Sequence, residues 1–216
     1  EYDGEGGLLW RRDFIAPITC IDIQEEKIAI GLLNGLVHVI DGQGKTEFLY
    51  NHSGSKVRVI YGCLLSSDGT ILAIMAGLHP QRFIVLQKIE QEFRSIFSRN
   101  VESQFRRQLT MAGTPSDDTI FVEGKDSVLV FEVNSRELSV LPVSGVLSSS
   151  NSIGCCDLHF LSALDKEQTM VYAYDSDLRA LVGSFSVPGQ THIRALDKSL
   201  FLGFNRKLVR IDIQYR

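Results

Sequence analysis

A short turn rich in Asp, Asn and Gly recurs along the chain, and its spacing constrains the fold more than any other feature. The clearest copies are YDGEGG at residues 2–7 and IDGQGK at residues 40–45, each followed by an apolar or aromatic run. Weaker copies begin near Ile89, Asn134 and Asp175. Asp and Gly favour tight hairpin turns. The average interval of about 42 residues predicts a repeated unit of four short strands.

The stretches between these turns have the composition of strands. Ile18–Ile23 is rich in β-branched residues, and the dipeptide Asn34-Gly35 separates Lys27–Leu33 from Leu36–Ile40, which is a strong hairpin signal. Only Gln91–Gln108 shows apolar residues at helical spacing. We predict an outer strand in the first half of that segment and a loop between two units in its second half.

The repeat predicts an all-β protein, a β-propeller of about five four-stranded blades that forms a single domain over residues 1–216. The last unit supplies three strands, over Ile193–Leu196, Ser199–Phe204 and Leu208–Ile213. A strand over Leu8–Arg12 has no unit of its own, and it would close the ring by completing the last blade. The alternative is that the five units are a fragment of a larger propeller.

The first unit resembles the quinoprotein-type (PQQ-like) propeller repeat. The resemblance rests on Asp3, Gly7 and Trp10, and on Ile28–Asp41, which is similar to the middle strands of that repeat. It is specific over residues 1–50, and it implies a propeller architecture. Quinone-dependent dehydrogenases of this family carry a Trp in most blades, whereas this chain has one Trp, so the resemblance argues against that activity. WD40-like propellers are the neighbouring alternative, but their Trp-Asp and Gly-His pairs are absent.

The totals exclude two classes of protein. The formal net charge is −4, whereas nucleic-acid binders usually carry a strongly basic domain, so no nucleic-acid partner is predicted. No apolar run reaches the roughly 18 residues of a membrane-spanning helix, so no transmembrane segment is predicted. The resemblance to secreted bacterial propellers favours an extracytoplasmic location, either periplasmic or secreted.

The cysteines offer one catalytic hypothesis. Quinoprotein dehydrogenases can hold a disulfide between adjacent cysteines against the cofactor, and the resemblance extends this role to Cys155 and Cys156. The alternative is that adjacent strand residues face opposite sides of a sheet. Cys20 and Cys63 fall on the first strands of successive units, where we predict that both are packed in the core.

Other signatures of catalysis are missing from the sequence. The five histidines form no H-x-H or H-E-x-x-H pair, so no metal site is predicted. No G-x-S-x-G elbow, Walker loop or G-x-G-x-x-G loop occurs. The sequence therefore predicts no catalytic residue and no cofactor.

A basic segment with interleaved aromatic residues is the best candidate for a binding site. Arg99, Arg106 and Arg107 lie near Phe97 and Phe105, a composition typical of interface anchors. The interpretation of Arg99 to Arg107 as a loop between two blades places these residues on the same face as the loop that contains Arg82. The sequence thus predicts a non-catalytic scaffold that binds a protein or peptide partner through Arg82, Arg99, Arg106 and Arg107. The alternative is a small cofactor- or metal-binding enzyme of the quinoprotein type.

Overall fold

The computed structural model describes residues 4–114, 116, 118–152 and 158–214. Within these ranges the chain consists of strands and turns, without a helix, and the strands form five antiparallel sheets. The chain divides into two compact units, Glu1–Leu109 and Thr110–Arg216. The all-β class and the recurring four-stranded unit predicted from the sequence are confirmed.

Unit 1 contains two sheets, each a meander in which consecutive strands pair. The first sheet consists of β1 (Ile18–Gln24), β2 (Lys27–Leu32), β3 (Leu36–Asp41) and β4 (Thr46–Asn51). The second sheet consists of β5 (Val57–Leu65), β6 (Ile71–Leu78), β7 (Gln81–Ile89) and β8 (Glu92–Val101). The turn at Asn34-Gly35 joins β2 to β3 as predicted, and Gly35 adopts φ 91° there, a value that glycine adopts readily.

Unit 2 contains three further sheets with the same meander order. The third sheet consists of β9 (Met111–Gly113), β10 (Thr119–Gly124), β11 (Ser127–Glu132) and β12 (Glu137–Pro142). The fourth consists of β13 (Val146–Ser152), β14 (Leu158–Asp165), β15 (Gln168–Asp175) and β16 (Ala180–Pro188). The fifth has three strands in the described residues, β17 (His192–Leu196), β18 (Ser199–Phe204) and β19 (Lys207–Asp212).

The core of unit 1 lies between its two sheets. Apolar side chains from β1, β2 and β3 pack against side chains from β5, β6 and β7, and the buried members are Cys20, Ala29, Val37, Val39, Ile60, Cys63, Leu65, Leu72, Ile74, Ala76, Ile84 and Leu86. The outer strands contribute Phe48 and Phe93, whose ring centroids are 4.6 Å apart. Burial of this apolar area is the main force that holds the two sheets together.

In unit 2, each sheet packs on the next in the same manner. One buried cluster joins the third sheet to the fourth and includes Phe121, Val130, Leu161 and Tyr174. A second cluster joins the fourth sheet to the fifth and includes Phe160, Val171, Leu200 and Leu202. Successive sheets in each unit are therefore stacked face to face, as in the blades of a propeller.

The first strands of the two sheets in unit 1 run in the same direction. The sulfurs of Cys20 and Cys63 are 3.4 Å apart, and the carboxylate of Asp22 accepts a hydrogen bond of 2.7 Å from the backbone N–H of Leu65. In each pair the two residues are 43 positions apart in the sequence, so β1 and β5 run parallel to each other. Both strands therefore begin at one end of the unit.

The N-terminal segment differs from the prediction. Residues 9–12 form no strand, and the indole N–H of Trp10 donates to the carbonyl of Gly42 at 2.9 Å. A guanidinium nitrogen of Arg12 donates to the carbonyl of Gly44 at 2.8 Å. Trp10 also packs on a small cluster formed by Ile30, Leu32 and Ile40 in the first sheet. Leu8 forms only an isolated bridge and no strand follows it, so the strand predicted over Leu8–Arg12 is wrong.

Deletion of residues 1–12 tests whether this segment binds the β3–β4 turn or closes the ring at the last sheet. We expect amide hydrogen exchange to accelerate at the β3–β4 turn, residues 41–46, because Gly42 and Gly44 lose their side-chain partners. We expect exchange in β19 to stay unchanged. The measurement is hydrogen exchange by mass spectrometry, with Leu9→Ala as a control because Leu9 is 56% exposed. Faster exchange in β19 after the deletion would instead support a closing strand.

Candidate binding surface

One end of unit 1 gathers both connections that lead from one sheet to the next. β1 and β5 begin at this end, and β4 and β8 finish there. We call it the connector end, and it consists of residues 33–36, 51–58, 78–82 and 99–108. The opposite end consists of the hairpin turns that follow β1, β3, β5 and β7.

The two ends carry opposite charge. The cations of the connector end are Lys56, Arg58, Arg82, Arg99, Arg106 and Arg107, against the single carboxylate of Glu102. The carboxylates in and beside the turns of the opposite end are Asp22, Glu25, Glu26, Asp41, Glu47, Asp68, Glu90 and Glu92. A molecule with a net negative charge thus presents a locally basic surface.

Two cations of the opposite end have carboxylate partners. Lys27 lies 3.2 Å from Glu47, and Arg94 lies within 3.8 Å of Glu90 and Glu92. In the described part of the chain, no carboxylate lies within salt-bridge distance of four connector-end arginines, which are Arg58, Arg82, Arg99 and Arg106. Their charge is available to an external anion.

A buried glutamine fixes the second connector, which is the segment that follows β8. Gln81 is fully buried at the start of β7, and its side-chain amide donates to the carbonyl of Phe105 at 3.1 Å and accepts from the N–H of Phe105 at 3.2 Å. The connector ends at Leu109, whose N–H donates to the carbonyl of Tyr61 at 2.8 Å. These bonds hold the exposed Arg106 and Arg107 in place, and the guanidinium of Arg107 lies 4.9 Å from the centroid of the Phe105 ring.

The predicted binding residues lie at one end of the unit, but on different faces of the second sheet. Arg99 lies opposite Phe83 in the β7–β8 register, whereas Arg82 lies opposite Asn100. The Nε of Arg82 donates to Asn100 at 3.1 Å. Because neighbouring strand residues alternate in direction, the side chains of Arg82 and Arg99 leave opposite faces.

Two details of the loop prediction need correction. Arg99 lies within β8, and the connector begins only after Val101. Arg82 is the second residue of β7 and is half-buried. The backbone of β8 continues for longer than predicted because it pairs with β7 along its whole length, from Ile89↔Glu92 to Gln81↔Val101.

Arg82 also belongs to a group of residues beside the first connector, which is the segment between β4 and β5. The imidazole of His52 is fully buried beside Tyr50, with ring centroids 6.5 Å apart. Burial lowers the pKa of His52, and the nearby Arg82 and Arg58 lower it further. Burial also raises the pKa of Tyr50. Two arginines, a tyrosine and a neutral histidine thus meet at this edge of the unit.

The hydrogen bonds of His52 determine its tautomer. The hydroxyl of Ser55 donates to the carbonyl of Pro80 at 2.7 Å, and its oxygen lies 3.1 Å from Nε2 of His52. Since the only hydroxyl proton is used, Nε2 carries the proton and donates to Ser55. The Nδ1 atom has no hydrogen-bond partner among the described residues. Ser55 thus joins His52 to the carbonyl of Pro80 and braces the connector.

Glycine allows the first connector to lie close to a neighbouring turn. A side chain at Gly35 would approach the carbonyl oxygen of Arg58 at 2.6 Å. The carbonyl of Gly35 in turn accepts from the N–H of His52 at 2.9 Å. The close approach of Gly35 to the carbonyl of Arg58 fixes the backbone at Arg58, whose side chain is exposed. Exposed Leu33 and Val57 add apolar surface beside these cations.

The remaining histidines are dispersed. His38 lies 5.2 Å from Phe14 in an edge-to-face contact, and His159 is buried beside Phe121 and Tyr174. His192 is the first residue of β17. Within residues 4–114, 116, 118–152 and 158–214, no three potential metal ligands gather.

The cysteine predictions have different outcomes. Cys20 and Cys63 are buried in the core, as predicted. Cys155 and Cys156 lie outside the described residues, so the catalytic hypothesis attached to them stays a prediction. No helix in the described part of the chain is long and apolar enough to cross a membrane.

Comparison with known proteins agrees with this architecture. A family model described as "beta-propeller protein" matches residues 1–215. The chain belongs to this β-propeller family. It is 27% identical over 214 residues to an uncharacterized protein of Treponema pallidum (strain Nichols), and the match covers 99% of this chain and 56% of the relative. The chain thus spans about half the length of that relative.

A solved structure has the same fold. The structure of the Dos1 propeller matches 87% of this chain and 55% of its own chain, with a TM-score of 0.59 and 12% sequence identity. At this level of identity the likeness concerns the fold alone. The more specific resemblance to PQQ-like or WD40-like repeats stays a prediction.

Acid should weaken unit 1 through His52. Its pKa is lowered in the folded protein, so below about pH 6.5 the unfolded chain takes up a proton that the folded chain does not. Stability is then lost as the pH falls through about 6.5, the ordinary pKa of histidine. The measurement is the free energy of unfolding by urea at each pH for the wild type and His52→Gln.

The glutamine variant keeps an N–H donor near Ser55 but cannot be protonated, so its stability should depend less steeply on pH. Exposed His192→Gln controls for the loss of one imidazole. Equal pH dependence in the wild type and His52→Gln would show that His52 does not contribute.

Proposed function

We propose that this chain is a non-catalytic propeller module whose connector end binds an acidic segment of a protein or peptide partner. The observation that carries the proposal is that four exposed or half-buried arginines have no carboxylate within salt-bridge distance in the described residues; they are Arg58, Arg82, Arg99 and Arg106. Arginine is enriched at the centre of protein interfaces because its planar group binds carboxylates with two hydrogen bonds.

The composition around the arginines also supports a protein partner. Half-buried Phe105 and Tyr50 and exposed Leu33 and Val57 lie at the same end. Aromatic and apolar side chains within a basic surface supply the desolvated contacts that hold a partner after charge has attracted it. The rigid connectors reduce the entropy that binding costs.

A nucleic-acid partner is less well supported. The basic surface covers one end of one unit, and the same unit carries eight carboxylates in and beside the turns of its opposite end. A phosphate backbone carries charge along its whole length and would meet repulsion beyond the connector end. An acidic peptide segment needs only the local surface.

Charge reversal tests the proposal. The test variant combines Arg82→Glu, Arg99→Glu, Arg106→Glu and Arg107→Glu. The amount of partner that it captures should fall at least about tenfold, because attraction becomes repulsion. The measurement is affinity capture of the tagged protein from native lysate, with quantitative mass spectrometry of bound proteins. Circular dichroism and thermal unfolding check that each variant folds.

A matched control carries the same kind of substitution elsewhere. Arg136, Arg194 and Arg206 are exposed in unit 2, and their reversal to Glu should keep the partner. A smaller variant that leaves Arg82 intact guards against loss of its bond to Asn100. Retention of every partner by the connector-end variants would contradict the proposal, as would equal loss in the unit 2 control.

We also propose that the five sheets are part of a propeller with more blades. The chain matches just over half of the Treponema relative and of the Dos1 propeller chain. The segment that was predicted to close a five-bladed ring contributes an isolated bridge at Leu8 in place of a strand, and its Trp10 and Arg12 side chains are bound to the first sheet. Hydrogen exchange in β19 after deletion of residues 1–12 distinguishes the two arrangements.

A further inference from the structure

Two cysteines from neighbouring sheets meet in the core of unit 1. Cys20 on β1 is 4% exposed, and Cys63 on β5 is 6% exposed. Their sulfurs are 3.4 Å apart, and both are free thiols. Since most buried cysteines pack as isolated small apolar residues, a pair in sulfur-to-sulfur contact across two sheets needs a separate explanation.

The surroundings hold both sulfurs at this contact. The thiol of Cys63 donates to the carbonyl of Ala29 at 3.6 Å. Cys20 occupies the space above Gly31, where any larger residue would overlap its sulfur. The bond from Leu65 to Asp22, two positions along each strand, fixes the relative position of β1 and β5.

The separation of the sulfurs discriminates between two chemistries. A soft metal bound linearly by two thiolates would need sulfurs about 4.6 Å apart, given metal–sulfur bonds of about 2.3 Å. A disulfide needs about 2.05 Å. The observed 3.4 Å is too short for the linear metal site. It leaves a movement of about 1.4 Å for bond formation.

We propose that Cys20 and Cys63 form a disulfide on exposure to a hydroperoxide, and that this bond links the first two sheets of the propeller. The proposal is independent of the binding function of the connector end. It assigns a modification site to a pair of residues that otherwise only fill the core.

The reaction balances with the hydroperoxide as the oxidant. The thiolate of Cys20 attacks the terminal peroxide oxygen, the O–O bond breaks, and the leaving oxygen takes up a proton as water or an alcohol. The thiol of Cys63 then attacks the resulting sulfenic acid, the S–S bond forms, and the hydroxyl leaves as water. The two thiols lose two electrons and two protons in total, and the peroxide gains them.

Electrostatics favour Cys20 as the first nucleophile. When Cys20 is ionised, the thiol of Cys63 donates to it instead of to Ala29, and this hydrogen bond lowers the pKa of Cys20, although burial opposes this effect. The shared hydrogen bond raises the pKa of Cys63, and burial raises it further. Because the thiolate is the reactive form, Cys20 reacts first and Cys63 resolves the sulfenic acid.

Peptide mapping can detect the bond without ambiguity. Cleavage after Arg and Lys places Cys20 in residues 13–27, Cys63 in residues 59–82, and Cys155 with Cys156 in residues 137–166. The experiment treats the folded protein with hydrogen peroxide, blocks the remaining thiols by alkylation under denaturing conditions, and digests it without reductant.

We expect a linked peptide of residues 13–27 and 59–82, lighter by two hydrogen atoms than the sum of its parts and lost on reduction. The bond closes a loop between positions 43 apart and should raise the Tm by about 5 °C or more. Cys63→Ser should show neither the linked peptide nor the rise in Tm, whereas the double variant Cys155→Ser, Cys156→Ser should show both.

Recovery of Cys20 and Cys63 as separate alkylated thiols after peroxide treatment would overturn the proposal. A dominant link from either residue to the peptide of residues 137–166 would overturn it as well. If Cys63→Ser fails to fold, the peptide map of the wild-type protein still shows whether the disulfide forms.

Discussion

The parallel contact between β1 and β5 is the constraint on which the arrangement of unit 1 depends. Asp22 accepts the N–H of Leu65, and burial raises the pKa of this carboxyl despite the hydrogen bond. A partly buried carboxylate that bonds a backbone N–H of the next sheet fixes the register more sharply than apolar packing alone. The apolar cluster around Cys20 and Cys63 then supplies most of the stability.

This contact has a direct consequence for function. Since both meanders start at the same end, each connection between sheets must also lie at that end. The connectors bring Arg58 and Arg106 to the same end of the unit as the half-buried Arg82, although these residues are far apart in the sequence. Gln81 and His52 fix the two connectors from inside the unit. A rigid basic surface thus arises in a protein whose net charge is negative.

Local signals in the sequence predicted most of the fold. The Asn34-Gly35 hairpin and the recurring Asp-Gly turns defined the strand borders, because turn chemistry depends on few residues. The strand β14 was missed because six of its eight residues are buried, on both faces, so no alternation of apolar and polar residues marks it. The role of Trp10 was also missed, since its bond to Gly42 spans 32 positions and has no local signature.

The candidate site was predictable only in part. The composition around Arg99 to Arg107 identified the second connector, but its border with β8 required the pairing partner on β7. Lys56 and Arg58 were missed because charge at one end of a unit becomes visible only when both sheets are in place. The burial of His52 was equally hidden, as a polar residue after a strand usually indicates an exposed loop.

The most direct test of the central claim is a map of where an acidic peptide binds. Backbone amide NMR shifts of the labelled protein would be followed during titration with a short Asp- and Glu-rich peptide at low salt, and with its Lys-rich counterpart. We expect shifts at residues 51–58, 78–82 and 99–108 for the acidic peptide, and these shifts should become smaller as salt is added. Shifts at the opposite turns, or none at the connector end, would contradict the central claim.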